Sequence, residues 1–310
     1  MRYLVHYNTR LGSYSNDLMY DIVLNYIDKN IEVDLLVCKL NYSASHMNMN
    51  ASQIKSKICH LSTNSFINSL PKKVNVIEIN KKFIYGNVPN NLEEVKNLKI
   101  NNINIGLGPV SSYVTYFRDI SLNLSNEKFK ILKKLVDTSY SVYKKLLTID
   151  CAKYEKVVMF NGRFAESRVI LEYAKSKNLQ YETIEFDTLY GLNDIRLLSF
   201  KNRLPHSKDA FKERFFKAGK NNNINGEDFF NKKIKGLYMG GDAAVVEDGT
   251  FQTGYKNDQT SNDFIEMIKS FNLPVLTYYM SSQDEVYALG DEWDNPRLFK
   301  NQYESINWCI

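Results

Sequence analysis

The sequence predicts an α/β fold with a mostly parallel sheet and helices on both faces, and three observations carry this prediction. Short runs of Val, Ile, Leu and Met alternate with longer segments of helical period, as in βαβ units. Two of the strand-like runs end in glycine-containing turns before a helical pattern starts. The chain has 310 residues, of which 44% are hydrophobic, and this supports sizeable cores and two domains. A Rossmann-like sheet is therefore expected.

The amino-terminal third is predicted to contain three strands and two helices. Short apolar runs indicate the strands, and apolar residues spaced by three or four positions indicate the helices. The polar residues 41–56 lack a clear period, so a long loop is predicted there. In chain order, the elements are a strand Arg2–His6, a helix Asn16–Lys29, a strand Glu32–Cys38, a strand Val74–Ile79 and a short helix Leu92–Leu98.

A glycine-containing turn is predicted just after Asn104. Gly106 and Gly108 precede Ser111 and Ser112, and one of the two serines is expected to cap a helix over residues 113–118. Backbone N–H groups of such a turn can bind a phosphate, although the spacing matches neither the Walker nor the dinucleotide-binding fingerprint. A purely structural turn is the alternative.

The most informative segment is a strand that ends in Asn161-Gly162-Arg163 and is followed at once by a helical pattern up to Lys177. In open α/β sheets, ligands bind at the carboxyl ends of strands, beside helix N-termini. Gly162 permits a tight turn, and Arg163 can donate to phosphate or carboxylate. The alternative is a turn in which Asn161 and Gly162 only set the geometry and Arg163 pairs with Glu166.

The remaining elements suggest where a first domain ends and a second begins. Residues 1–235 are predicted as an amino-terminal domain, 236–261 as a linker and 262–310 as the first βα unit of an incomplete second domain. Ser282 and Glu285 fit a capping box, which leaves Ser281 able to contact a ligand. The other predicted elements are helices Asn126–Thr148, Ser207–Lys217, Glu227–Lys235 and Asn301–Ile310, and strands Tyr181–Phe186 and Pro274–Met280.

Composition and charge narrow the class of protein. No run approaches the roughly 20 apolar residues of a membrane span, and the N-terminus enters a strand without a secretory leader, so a cytoplasmic protein is expected.

Basic residues concentrate in 128–156 and 201–220. They could contact nucleotide phosphates, an anionic lipid or a membrane, or form solvated helix faces. Aromatic and basic residues do not interleave as in nucleic-acid-binding proteins. The four cysteines show no CxxC spacing, which argues against a disulfide framework. They are Cys38, Cys59, Cys151 and Cys309.

A series of motifs in this order resembles bacterial capsular and lipopolysaccharide glycosyltransferases with two Rossmann-like domains, the GT-B kind. The resemblance covers nearly the whole chain. It implies that the first domain binds the acceptor and that the second, which opens at Pro274–Met280, holds most of the donor site. The sequence then looks truncated about one βα unit into that domain. The motifs are Gly106–Ser112, Phe160–Arg163, Glu185, Pro205-His206, Tyr279–Glu285, Gly290–Trp293 and Asn301–Tyr303.

The resemblance implies transfer of a sugar from a nucleotide-sugar donor to a growing capsule or lipopolysaccharide. An inverting enzyme of this kind needs a base for the acceptor hydroxyl, and Glu185 is the first candidate, followed by Asp187 and His6. No metal or other cofactor is expected, and Cys38, His46, Cys59 and His60 match no zinc module. The substrate-binding candidates are Gly106, Gly108, Ser111, Ser112, Asn161, Gly162, Arg163, Ser281, Ser282, Asp284 and Glu285.

Two other functions stay open on the sequence alone. One is a non-catalytic glycan- or protein-binding module derived from such an enzyme, and the other is a GT-B-like nucleotide-sugar epimerase. The expected partners are the nucleotide-sugar, a glycan or lipid-linked acceptor and other polysaccharide-assembly enzymes, with no nucleic acid. Peripheral contact with the cytoplasmic membrane face is left open, as are the sugar and the linkage.

Overall fold

The structure is a computed structural model. It describes residues 1–7, 15–40, 48–121, 124–187, 196–218, 266–267, 270, 287–290 and 304. The chain divides into two compact units. The first comprises Met1–Glu185, Ser199–Ala210 and Ser282–Arg297, and the second comprises Phe186–Leu198, Phe211–Ser281 and Leu298–Ile310. The predicted division at 235 and 262 stays a prediction, because residues 236–261 lie outside the described residues.

The described elements follow the predicted alternation of strands and helices. In chain order they are β1 Arg2–Tyr7, α1 Ser15–Asp28, β2 Glu32–Cys38, α2 Gln53–Ser69, β3 Asn75–Ile79, α3 Leu92–Lys96, β4 Lys99–Ile100, β5 Ile103–Asn104, α4 Leu107–Phe117, α5 Asn126–Leu146, β6 Lys156–Phe160, α6 Ala165–Ser176, β7 Gln180–Asp187, β8 Arg196–Lys201 and α7 Lys208–Ala218.

The main sheet has six strands in the order β3-β2-β1-β6-β7-β8. The pairs β1–β2, β2–β3, β1–β6 and β6–β7 are parallel. The chain therefore moves outward from β1 to β3 and then returns to place β6 on the other side of β1. This order confirms the prediction of an α/β, Rossmann-like fold.

Helices cover both faces of the sheet, as predicted. On one face, Val5 of β1 and Leu35 of β2 pack with Val23 of α1 and Phe66 of α2. On the other face, Leu4 of β1 packs with residues of α5 and α6. A third apolar cluster joins α3, α4, α5 and α6 to one another. On this face α5 and α6 therefore pack on the sheet, and α3 and α4 pack on these two helices.

Two stretches differ from the sequence prediction. The helix expected to start at Tyr113 begins at Leu107 instead, because the Asn104 side-chain oxygen accepts hydrogen bonds from Gly106 N (2.9 Å) and Leu107 N (2.7 Å) and so turns the backbone into the helix. The loop predicted up to Ser56 ends at Gln53, where α2 starts. Neither α2 nor β8 is predicted from the sequence.

The second unit is described only in part. Its described residues are 186–187, 196–198, 211–218, 266–267, 270 and 304, which include most of α7, close to the predicted helix Ser207–Lys217. The predicted helix Glu227–Lys235 and strand Pro274–Met280 lie outside the described residues. Across the described parts of the chain, no helix is long and apolar enough to cross a membrane.

Candidate functional site at the carboxyl edge of the sheet

The strand order places a topological switch point between β1 and β6. From these two neighbouring strands the chain leads away in opposite directions, to β2 on one side and to β7 on the other. Open α/β sheets bind ligands in the crevice at such a point, outside the carboxyl ends of the strands. The residues here are His6 near the end of β1, which is in register with Met159 of β6, and the turn that follows Phe160.

The Asn161-Gly162 turn is held in a left-handed conformation, with φ values of 57° and 76°. A Cβ on Gly162 would lie 2.9 Å from Thr183 Cγ2, so both the backbone angle and the packing require glycine here. The Asn161 backbone N–H donates to the Ile184 carbonyl (2.8 Å), and its side-chain amide donates to the Glu185 carboxylate. Two predicted site residues, Asn161 and Glu185, are therefore in direct contact.

The two motifs singled out in the sequence, Gly106–Ser112 and Asn161–Arg163, pack against each other. A Cβ on Gly108 would lie 2.7 Å from the Phe164 carbonyl oxygen and from Arg168 Cβ, so only glycine allows α4 to approach α6 this closely. Ser112, in the interior of α4, accepts a hydrogen bond from Ala165 N (2.9 Å). The prediction that a serine caps its own helix is wrong, because α4 starts earlier; Ser112 instead satisfies the first N–H of α6.

Arg163 points along α4. Its Nε donates to Ser111 Oγ (3.0 Å) and its Nη2 to Thr115 Oγ1 (3.2 Å), while the guanidinium stacks over the Phe164 ring. Burial, and after it the charge of Arg163, lowers the pKa of His206 to about 4. Two hydroxyl groups of α4 thus position the guanidinium.

Glu166, in the first turn of α6, is the functional candidate that sequence reasoning missed. Its side chain is only 3% exposed, and its carboxylate accepts a hydrogen bond from its own backbone N–H. The second oxygen, Oε2, is buried without a hydrogen-bond partner among the described residues, so the alternative pairing with Arg163 is not observed. Burial raises the pKa of Glu166 to about 7, and the backbone hydrogen bond opposes this only in part.

His6, near the end of β1, is also buried. Its exposed fraction is 0%, and neither ring nitrogen forms a hydrogen bond within the part of the chain that the structure describes. Burial lowers the pKa of His6 to about 4, so the ring is neutral near pH 7. Strand alternation places His6 on the same sheet face as Leu4, which is the face covered by α6. The neutral imidazole of His6 and the carboxyl of Glu166 thus lie on the same face of the sheet, at its carboxyl edge.

Glu166 also affects the pKa values of two cysteine thiols, one of them at the end of β2. The pKa of the Cys38 thiol is raised to about 12, by burial first and by the charge of Glu166 second. Cys59, on α2, has its pKa raised by the same two causes. The thiols are therefore protonated near neutral pH and are poor nucleophiles.

The remaining predicted site residues are not placed. Ser281, Ser282, Asp284 and Glu285 lie outside the described residues, and the structure describes only the backbone of Asp187, at the end of β7. Over the described ranges, no group of three or more His, Cys, Asp or Glu residues could hold a metal ion.

A separate polar groove with a cavity volume of about 500 Å³ runs along α6, on the flank of the first unit. Arg168 lies in it, held by Glu172 Oε1 (2.9 Å from Nε) and by the Leu289 carbonyl (2.9 Å from Nη1). Lys96 and Lys175 also line it. None of the sequence-predicted site residues lines this groove. One of its lining residues, Tyr181, lies near the amino end of β7, whereas the candidate site lies at the carboxyl edge of the sheet.

No protein-family model matches the chain, and no curated protein is significantly similar to it. Among solved structures, the chain is similar to tyrosyl-tRNA synthetase of Leishmania major in complex with tyrosinol, with 10% identity and a TM-score of 0.32. The similarity covers 76% of this chain and 36% of the synthetase chain, so this chain spans about a third of the length of that protein. A similarity of this size carries no inference about function.

Proposed function

We propose that this chain is the acceptor-side, Rossmann-like part of a glycosyltransferase. It would move a sugar from a nucleotide-sugar donor to a growing surface polysaccharide, either capsule or lipopolysaccharide. The proposal rests on the serial resemblance of the motifs to capsular and lipopolysaccharide glycosyltransferases. It is supported by the Rossmann-like sheet, whose switch-point crevice is bordered by the motif Asn161-Gly162-Arg163.

Within this proposal the candidate base is Glu166, a buried carboxyl at this edge whose pKa burial raises to about 7. Transfer to a sugar hydroxyl needs a base that takes the hydroxyl proton while the nucleotide diphosphate leaves. A carboxylate is most effective in this role when its pKa lies near the working pH, and Glu166 meets that condition through burial. In this scheme Glu166 takes the proton.

The neighbouring groups have distinct roles in the proposal. Glu185, the base first expected from the sequence, is fixed by the Asn161 amide and would orient the acceptor by accepting its hydroxyl groups. Arg163 would stabilise the negative charge of the leaving diphosphate, since its hydrogen bonds to Ser111 and Thr115 hold it in place. The donor is a nucleotide-sugar, the acceptor a glycan or lipid-linked glycan, and the reaction would take place at the cytoplasmic side of the membrane.

A transfer assay with the purified chain tests this function. UDP-, GDP- and CMP-sugars are each combined with capsule or lipopolysaccharide oligosaccharides, and the mass of the product is measured. We expect one donor to give a product, with a rate that rises with pH through about 7 as Glu166 ionises. The variant Glu166→Gln should lower kcat by about 10²–10⁴-fold, because the proton acceptor is lost.

The matched control is Glu127→Gln, which removes an exposed carboxylate from the first turn of α5. It should leave kcat within about twofold, since surface substitutions rarely perturb a distant site. A chain that binds the oligosaccharides but transfers no sugar from any donor would contradict the proposal and favour the binding module. Equal loss of activity in both variants would contradict the role of Glu166.

A further inference from the structure

An apolar stripe lies on the exposed face of α2. Ile54, Ile58 and Leu61 are 72%, 44% and 69% exposed, and their spacing of four and three residues places them side by side on a helix. The opposite face of α2 is buried through Thr63 and Phe66, and the Phe66 ring stacks on Tyr7 at 4.0 Å. The inner face therefore anchors the helix to the sheet, and the stripe is left for another surface.

The charged side chains in the chain segment around this stripe are all basic. Residues 35–77 contain five lysines and no Asp or Glu, although acidic residues make up 35 of the 310 positions in the chain. Lys55 and Lys57 lie on α2 beside the stripe, and both are exposed. Lys72 and Lys73 follow the helix. A helix face that combines exposed aliphatic side chains with flanking lysines is complementary to an anionic lipid bilayer.

We propose that this face of α2 binds the surface of an anionic membrane. Ile54, Ile58 and Leu61 enter the boundary between headgroups and acyl chains, and the lysine side chains reach the lipid phosphates. Binding through a second copy of the chain is less favoured, because a two-fold contact would bring two sets of lysines together without any acidic partner from this stretch.

The position of the helix relates this surface to the candidate site. α2 follows β2 in a parallel sheet, so its first turn, with Ile54, lies at the carboxyl edge, the edge that also carries His6 and the start of α6. Membrane binding through α2 would therefore hold that edge near the bilayer. The proposal does not depend on glycosyl transfer, since lipid binding is measured without donor or acceptor.

Vesicle co-sedimentation of the whole chain tests the proposal. The vesicles contain phosphatidylcholine alone, or phosphatidylcholine with about one third phosphatidylglycerol. We expect binding to the anionic vesicles that weakens as salt is added. The triple variant Ile54→Ser, Ile58→Ser, Leu61→Ser should lower the partition coefficient about tenfold or more, because the inserting side chains are removed.

Two further variants separate the contributions. Lys55→Gln with Lys57→Gln should weaken binding to the anionic vesicles about tenfold and hardly change binding to phosphatidylcholine. The matched control, Ile84→Ser with Leu147→Ser, removes two exposed aliphatic side chains elsewhere, 69% and 48% exposed, and should bind like the unchanged chain. Circular dichroism checks that each variant is folded.

Three results would overturn the proposal. The first is an unchanged chain that does not bind anionic vesicles. The second is a triple variant that binds as well as the control variant. The third is a chain that dimerises in sedimentation experiments through the same three side chains, which would assign the stripe to a contact between copies.

Discussion

Replacing Glu166 by Gln is expected to make the chain more stable than the unchanged protein at neutral and alkaline pH, by about 3 kcal/mol. Burial raises the pKa of Glu166 from 4.5 to about 7. The folded state therefore holds a proton that the unfolded state has lost between these two values. Stability from the neutral carboxyl is fully present below about pH 4.5 and is lost as the pH rises through about 7.

The measurement is urea unfolding of both proteins from pH 4 to pH 9. The difference in unfolding free energy should grow between about pH 4.5 and 7 and then stay constant. His6 and His206, whose pKa values are lowered to about 4 by burial, make the free energy of unfolding change with pH in the opposite direction. Their contribution is the same in both proteins, so it cancels when the two free energies are subtracted. Glu127→Gln controls for the loss of one charge. A difference for Glu166→Gln that does not vary with pH would contradict the burial of this carboxyl.

Replacing Gly106 by Ala is expected to destabilise the fold by about 3 kcal/mol and to lower Tm by about 6–12 °C. A Cβ at this position would lie 1.6 Å from the carbonyl oxygen of Val95 and 2.8 Å from its carbonyl carbon. Both atoms belong to the backbone of α3, so neither can move away as a flexible side chain could. The start of α4 would have to shift, together with its packing on α6 at Gly108.

Gly86→Ala is the matched control for this prediction. No atom lies within 4 Å of a Cβ built on Gly86, so the same substitution should change stability by less than about 1 kcal/mol. Thermal unfolding followed by circular dichroism gives both values. Equal Tm values for the two variants would show that α4 starts differently from the arrangement described.

The sequence predicts the strand–turn–helix units well because their signals are local. The runs at β1, β2 and β6 are rich in Val, Leu and other apolar residues, and Asn161 and Gly162 are residue types that favour a turn with positive φ. The start of α4 is missed because Ser111 and Ser112 look like caps. The Asn104 side chain that turns the backbone, and Pro109 in the first helical turn, are the signals that could have located it.

The helix α2 is missed for a physical reason that bears on its proposed role. Its aliphatic residues Ile54, Ile58 and Leu61 face outward, while Ser56 and Thr63 face the core. The apolar period therefore does not mark the buried face, and no amphipathic helix is predicted.

The candidate site is predicted in part. The sequence indicates the edge of the sheet and the residues Asn161, Gly162 and Arg163, because the location follows from strand polarity. It does not indicate the contacts of Arg163 with α4, which join residues about 50 positions apart. Nor does it indicate the burial of Glu166, since a charged residue in a first helical turn is usually exposed.

The central claim is that ligands bind at the switch point between β1 and β6, and peptide-resolved hydrogen exchange tests it most directly. The chain is compared with and without UDP-, GDP- and CMP-sugars. We expect one of them to slow exchange at residues 161–168 and around the end of β1, and to leave the hairpin of β4 and β5 unchanged. Slowed exchange at Lys96–Asn104 and Asn202–Ser207 instead would place binding in the polar groove along α6 and would contradict the claim, as would unchanged exchange with all three.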